Sequence, residues 1–260
     1  MGTAEAQSAW WGARARDWAE VQEHTVFSLY LTVIDRADVD VGTRLLDIGC
    51  GAGLFGYMAS EMGADVSGLD ATPALLDIAQ SRVPEGDFLV GEMEALPYAD
   101  QTFEVVTGFN AFQYAASPVR ALREARRVAR PGGRVVIAVW GKPEDTAATG
   151  YFAALEALLP PLPPGAPGPL ALSHAGALEA LASAAGLTPT SVEEVDCLWT
   201  YNDEATALRG LLSAGPAVRA IQHAGEPSVY DAVVQAIAPF RTASGQYELK
   251  NTCRYLIARA

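Results

Sequence analysis

Along residues 5–36, apolar side chains recur at helical spacing, with Trp10, Trp11, Trp18, Val21, Phe27, Tyr30, Leu31 and Ile34 as the apolar set. Gly42 ends that pattern, and short apolar runs take over. The first, 44–48, runs into Gly49-Cys50-Gly51-Ala52-Gly53 and predicts a strand followed by a tight turn. A helix is predicted over 54–62, closed by Gly63, then a strand over 65–70 that ends on an acid. Pro73 opens a helix to about 82, and 88–91 is a third strand. A fourth strand over 103–107, a helix over 119–128 and a fifth strand over 134–140 complete the regular part.

Short apolar strands alternating with helices predict βαβ units and a mostly parallel sheet covered on both faces. In such sheets ligands bind beyond the carboxyl ends of the strands. Asp47, Asp70, Gly91-Glu92 and Asn110 all fall at those ends. After Gly141 the texture changes. Helices are expected over 147–159 and 173–185, with a proline-rich loop at 160–169 between them. A strand follows at 191–201. A helical stretch over 204–240 breaks at Gly215-Pro216, Gly225-Pro227 and Pro239, and a last strand spans 247–257. The last strand is expected to return to the main sheet. The organisation is therefore read as one domain over 1–260, with a core at 40–141 and cap elements at 1–39, 147–172 and 201–240.

Composition narrows the partners. Half of the 260 residues are hydrophobic, enough for a sizeable core. Acidic residues outnumber basic ones 31 to 18, a net charge of −13. Phosphate neutralisation needs clustered Lys and Arg, so nucleic acid and anionic membrane surfaces are poor partners. A small or cationic ligand fits better. The arginines at 120, 123, 126, 127 and 130 are read as a solvated helix face. Three cysteines without a C-x-x-C spacing make no disulfide framework. The first thirty residues lack a signal-peptide core, and no apolar run reaches the roughly 18 residues of a membrane span. A cytoplasmic protein is expected. With only His24, His174 and His223, no metal-ligand spacing exists and no metal is expected. His24 and His223 are candidate groups facing an acceptor, and His174 is read as a surface or capping residue.

The glycine turn contains two overlapping patterns. Gly51, Gly53 and Gly56 match G-x-G-x-x-G, a dinucleotide fingerprint. Asp47, Gly49, Gly51 and Gly53 match D-x-G-x-G-x-G. A carboxylate at Asp47 repels a pyrophosphate and favours a ligand carrying an ammonium and a sulfonium. Asp70, 21 residues after Gly49, ends the next strand, where it can accept bonds from ribose hydroxyls of either cofactor.

The segments LLDIGCGAG (45–53), GLDAT (68–72), GEMEALPYADQTFEVV (91–106) and LREARRVARPGGRVVIAVWG (122–141) resemble class I S-adenosylmethionine-dependent methyltransferases, particularly the ubiquinone/menaquinone-biosynthesis type. The resemblance implies a Rossmann-like α/β fold, a seven-stranded sheet of order 3-2-1-4-5-7-6 with strand 7 antiparallel. It implies S-adenosylmethionine as cofactor and S-adenosylhomocysteine as product. Asp47, Gly49 and Gly51 would surround the methionine portion, with Gly53 and Leu54 at the helix start. Cys50 belongs to the same loop, and its thiol is read as buried and inert. Asp70 would hold the ribose, with Ala71 and Thr72 beside the adenine. Glu92 and Met93 stand where relatives carry Asp-Ala, at the adenine. Phe109 and Asn110 would pass near the methionine portion. Gln113 and Tyr114 occupy a position often filled by His-His or His-Trp, and would face the substrate. Trp18 is read as part of a helical lid against sulfonium or adenine, or as core packing.

The expected function is methyl transfer to a small, apolar organic acceptor, quinone-like or a secondary metabolite. Aromatic cap surfaces could support a homo-oligomer. Two alternatives stand beside it: a protein of this fold that binds the cofactor but catalyses a different reaction such as a cyclisation, and an NAD(P)-dependent reductase using 51–56.

Overall fold

The computed structural model describes residues 3–160, 170 and 172–260. Most of the proline-rich stretch, 161–169, lies outside the described residues.

The chain begins with α1 (Ala4–Gly12), a single turn α2 (Ala15–Asp17), then α3 (Phe27–Arg36). The predicted helix over 5–36 is thus broken, with a π-turn at Trp18–Gln22 and a 3-10 turn at Glu23–Val26 between its pieces. No Gly or Pro lies in 13–26 to announce that change of pitch.

Next come β1 (Arg44–Ile48), α4 (Leu54–Glu61), β2 (Asp65–Asp70), α5 (Pro73–Arg82), β3 (Asp87–Val90), β4 (Phe103–Phe109), α6 (Pro118–Val128) and β5 (Ala129–Trp140). The rest comprises α7 (Thr149–Glu156), α8 (Ala177–Ala184), β6 (Thr188–Tyr201), α9 (Glu204–Leu211), α10 (Gly215–Ala224), α11 (Glu226–Ile237) and β7 (Tyr247–Arg259). The helix expected over 173–185 starts four residues later. Gly176 takes a left-handed conformation before α8, and the Ser173 hydroxyl turns back to the Trp140 carbonyl at 2.9 Å.

The seven strands form one sheet of order β3-β2-β1-β4-β5-β7-β6. β7 runs antiparallel to both β5 and β6, so the last strand does return to the main sheet. Successive side chains alternate between faces. Leu45, Val105, Val136 and Ile257 pack on one face with Leu29 and Val33 of α3 and Phe55 of α4. Leu46, Val106, Ile137 and Leu256 pack on the other with Leu122 of α6 and Leu178 of α8.

β5 pairs with β7 only from Trp140↔Cys253 to Arg134↔Arg259, whereas β6 follows β7 to Tyr201↔Tyr247. The ends of β6 and β7 therefore project past the carboxyl end of β5 as a two-stranded ribbon. Trp199, Tyr201, Tyr247 and Leu249 of this ribbon are buried against α7, α9, α10 and α11. That cluster is the cap, and it stands at the edge of the sheet where ligands bind in this topology.

One glycine decides how α4 meets α5. Gly53 has φ +78°, and a Cβ on it would lie 2.7 Å from the Ala79 Cβ and 2.9 Å from its Cα. Both the left-handed backbone and the contact exclude a side chain. Gly53→Ala is expected to lower unfolding stability by at least about 1–2 kcal/mol from the backbone alone, with further loss from the clash. Urea denaturation checks this, and an unchanged midpoint would refute the packing argument.

Candidate cofactor and acceptor site

The carboxyl ends of β1, β2, β3 and β4 open into one cavity. At its floor, Gly49 and Gly51 turn the chain away from β1 with φ of +71° and +55°. A Cβ at Gly49 would sit 2.6 Å from the Ala111 Cβ, so only glycine lets the turn pass beneath the segment after β4. Asp70, the last residue of β2, braces the turn. Its Oδ2 accepts the Gly51 N–H at 3.0 Å and its Oδ1 accepts the Thr72 N–H at 2.9 Å. Burial pushes the Asp70 carboxyl above its usual range, and these N–H donors oppose that shift.

Asp47 lies behind the turn rather than on the cavity wall. It is buried, and its Oδ1 accepts the Thr107 hydroxyl at 2.7 Å. Burial raises its pKa to about 7, the Thr107 bond works against the rise, and the charges of Asp70 and Glu23 add to it.

The wall continues through Ala71, Thr72, Glu92 and Met93, then Phe109 and Asn110. Asn110 holds a left-handed backbone, φ +49°, unusual for a residue with a side chain. Its N–H is tied to the Ala138 carbonyl at 2.8 Å, and its Oδ1 accepts Gln113 Nε2 at 3.3 Å. Tyr114 faces the cavity, but Gln113 does not. The N-terminal segment supplies Trp18, Gln22, Thr25, Val26 and Tyr30. Part of the wall is an aromatic cluster of Trp140, Tyr151, Phe152 and Trp199, and Ala214 and Pro216 flank Gly215, which packs against Trp11.

Several expected contacts lie elsewhere. Cys50 is buried, and burial pushes its thiol well above the ordinary value. Gly53 and Leu54 also sit outside the cavity lining, because they pack the start of α4. His24 and His223 are both exposed and absent from the wall, so neither is placed to serve an acceptor there. His24 lies on a 3-10 turn whose inward positions are Glu23 and Val26. His223 lies in the last turn of α10, which turns Ala217, Val218 and Ala220 inward.

The charged side chains on the wall are Asp70 and Glu92, both acidic. Among polar groups, the Tyr151 hydroxyl is committed to the Leu211 carbonyl at 2.8 Å, and Gln22 Oε1 accepts the Tyr201 hydroxyl at 2.8 Å. The Tyr30 and Tyr114 hydroxyls have no hydrogen-bond partner among the described residues. Burial raises Tyr30 well above 10 and Tyr114 to about 12. Both are donors at neutral pH and neither is a base. Among the described residues, no three His, Cys, Asp or Glu side chains gather as a metal site. No helix among them is long and apolar enough to cross a membrane.

Residues 46–137, from β1 into β5, match the family model described as a methyltransferase domain. That stretch is about a third of the chain, and over it the sequence is similar to methyltransferase domains. The chain is 36% identical over 111 residues to a demethylmenaquinone methyltransferase of Paenarthrobacter aurescens, covering 43% of this chain and 44% of that protein. It is 37% identical over 95 residues to a malonyl-[acyl-carrier protein] O-methyltransferase of Serratia marcescens, covering 36% and 37%. The chain thus spans less than half the length of either relative in these matches. The YcgJ protein of Bacillus subtilis shares the fold at TM-score 0.57 and 23% identity, over 92% of this chain and 100% of that one. Methyltransferases of this family take S-adenosylmethionine. The donor set suits it, since carboxylates and glycine backbone at the methyltransferase turn match ribose hydroxyls and a cationic ligand.

Sequence reasoning missed Glu23, whose carboxylate is buried against the glycine turn, and its ion-pair partner Arg82. It also missed the aromatic wall, whose members come from β5, α7 and β6. A Glu inside an apparently helical, polar stretch gives no sign of burial.

The Asp47 shift has a sign that can be tested. Its pKa is about 7 folded against an ordinary 3.8, so the folded state holds a proton that the unfolded chain gives up between those values. Stability from this group is full below about pH 4 and is lost as pH rises through about 7. Asp47→Asn keeps an acceptor for Thr107 and removes the ionisation. It is expected to be the more stable protein at pH 8, by up to ~4 kcal/mol, with the gap closing toward pH 4. Denaturation at the two pH values checks this, and a gap independent of pH would overturn it.

Proposed function

We propose that the chain is an S-adenosylmethionine-dependent methyltransferase acting on a small, largely apolar organic acceptor of quinone-like or secondary-metabolite type. The observation that carries this reading is a single cavity with two unlike stretches of wall. One is the glycine turn with Asp70, and the other is the aromatic wall of Trp140, Tyr151, Phe152 and Trp199.

At the first, Asp70 accepts the ribose hydroxyls, and Gly49 and Gly51 lend backbone to the methionine portion. Ala71, Thr72, Glu92 and Met93 border the adenine. Trp18, Phe109 and Asn110 close over the cofactor from the lid and from β4. Asp47 acts from behind through the field of its carboxylate. A dinucleotide pyrophosphate would meet Glu92 and Asp70 with no cation on the wall, which argues against a nicotinamide reductase.

When bound, S-adenosylmethionine supplies a methyl group on a cationic sulfur. The protein's work is then alignment and exclusion of water. The aromatic wall holds a flat apolar acceptor and keeps water out. Tyr30 and Tyr114 donate hydrogen bonds to its polar atoms and fix its orientation. No wall residue in the acceptor half removes a proton. The acceptor atom is therefore one that needs no enzyme base, or one that has ionised before it binds.

Titration calorimetry with S-adenosylhomocysteine and with NADH tests the reading. The wild type is expected to bind the former and not the latter. Asp70→Ala is expected to weaken binding by about tenfold or more, the scale of losing a charged hydrogen-bond acceptor. Wild type that ignores S-adenosylhomocysteine would refute the function, and NADH binding would replace it with the reductase.

A further inference from the structure

The link between α1 and α3 is irregular: one helical turn, a π-turn and a 3-10 turn. It still provides Trp18, Gln22, Thr25 and Val26 to the cavity wall, with Trp18 beside Gly51 and Gln22 bonded to Tyr201 at the end of β6. Val26 anchors it in the core cluster around α3 and α4, Val21 packs on the ribbon cluster, and Asp17 and Glu20 pair with Arg209 of α9. The link's seam with the core is built of Ala15 and Ala19 against Ala52 and Leu75, with Trp11 and Trp18 packed edge to face at 4.8 Å.

On the side of the glycine turn, one buried ion pair does the fastening. Glu23 is nearly inaccessible to solvent, and its carboxylate pairs with Arg82 at the end of α5. Glu23 Oε1 also accepts the Leu54 N–H at 3.3 Å, at the start of α4. Arg82 Nη1 donates to the Ala52 carbonyl at 2.8 Å, and Nη2 donates to the Ala19 carbonyl at 2.9 Å. The pair thus grips both sides of the turn over 52–54 and the irregular link at once. Gly51 is the meeting point, since a Cβ there would lie 3.6 Å from Trp18 Nε1 and 3.7 Å from Glu23 Oε1.

A buried carboxylate without its cation is strongly unfavourable, so this arrangement forms as a unit or not at all. Undocking the link returns both charges to water, where each is well solvated. Two discrete states follow, and anything that fixes the glycine turn biases them toward the docked one.

We propose that Glu23 and Arg82 are positioning residues that couple the cofactor turn to the acceptor wall. A cofactor that orders residues 49–54 docks residues 15–26 through this pair, and so completes the acceptor cavity. The coupling rests on the cofactor reading above. It makes binding ordered, cofactor first and acceptor second.

Hydrogen exchange of peptides covering 15–26, read by mass spectrometry, tests the coupling. It is run with and without saturating S-adenosylhomocysteine, with thermal melting to establish that each variant folds. In wild type the ligand is expected to slow exchange across 15–26. In Arg82→Gln the ligand still binds, with affinity lower on the order of tenfold, and exchange across 15–26 stays at its ligand-free rate. Arg82→Lys keeps the charge but cannot span Glu23, Ala19 and Ala52 together, and restores only part of the protection. If Arg82→Gln does not fold, the same comparison is made on Glu23→Gln, which keeps an acceptor for the Leu54 N–H and leaves Arg82 without its anion. Protection equal to wild type in a folded variant overturns the coupling alone. A wild type that binds no S-adenosylhomocysteine overturns both the coupling and the function beneath it.

Discussion

Three carboxylates, Glu23, Asp47 and Asp70, converge on one glycine turn with Arg82 as the cation paired among them, and the site is organised around how each is made tolerable. Burial disfavours every one of these charges. Glu23 is answered by Arg82, Asp70 by backbone N–H donors, and Asp47 only by a hydroxyl. A hydroxyl is the weakest of the three compensations, since it brings a dipole where the others bring a full charge or two aligned donors. Burial accordingly raises the Asp47 carboxyl to about 7. What remains at the cavity end is a net negative field in a poorly hydrated space, where a cation is worth more than it would be in water.

The same turn is why the sheet must be parallel at its centre. β1, β2 and β4 all present carboxyl ends to it, so backbone from three strands reaches one point without long loops. The antiparallel β7 then does something the parallel strands cannot. Because it starts beyond β5, its first residues and the last of β6 stand clear of the sheet and carry aromatic side chains toward the cavity. Trp140 and Trp199 meet at 5.5 Å, and Trp140 and Phe152 at 5.3 Å, joining the end of β5 to the ribbon and to α7. An apolar wall is thus a consequence of strand overhang filled by large rings, which bury much area with little loss of side-chain freedom.

How much of this was readable from the chain depends on the distance over which each feature is encoded. The alternation of strands and helices and the turn are local signals, whereas the strand order comes from the resemblance to a known family. Asp47-Ile-Gly-Cys-Gly-Ala-Gly and Asp70 each end a short apolar run, and glycine is demanded there by φ angles and by contacts under 3 Å. Those patterns survive in any sequence with this topology. Gly53 and Leu54 belong to the same local motif, yet their work is packing α4 against α5, a role that spacing cannot separate from ligand contact. The broken link over 13–26 is the opposite case. Its residues are good helix formers, and the change of pitch is imposed by docking onto the core, so tertiary contact overrides propensity. Glu23 looks like a solvated helix residue until Arg82, 59 positions later, is folded against it. The aromatic wall draws on Trp140, Tyr151 and Trp199, brought together only by the β6–β7 overhang.

The histidines show why residue type alone misleads here. His24 and His223 were attractive because an acceptor that loses a proton needs a base. Their helical faces settle the matter, since each sits on the outward side of an element whose inward side is already filled. The cavity offers phenols that donate and amides already engaged. On the function proposed, a site so built gains little from proton transfer, and its advantage rests on holding cofactor and acceptor in line and dry. That places unusual weight on the walls being in place before the acceptor arrives. The least regular stretch of backbone forms one of those walls, and it is fastened by the pair that also grips the cofactor turn.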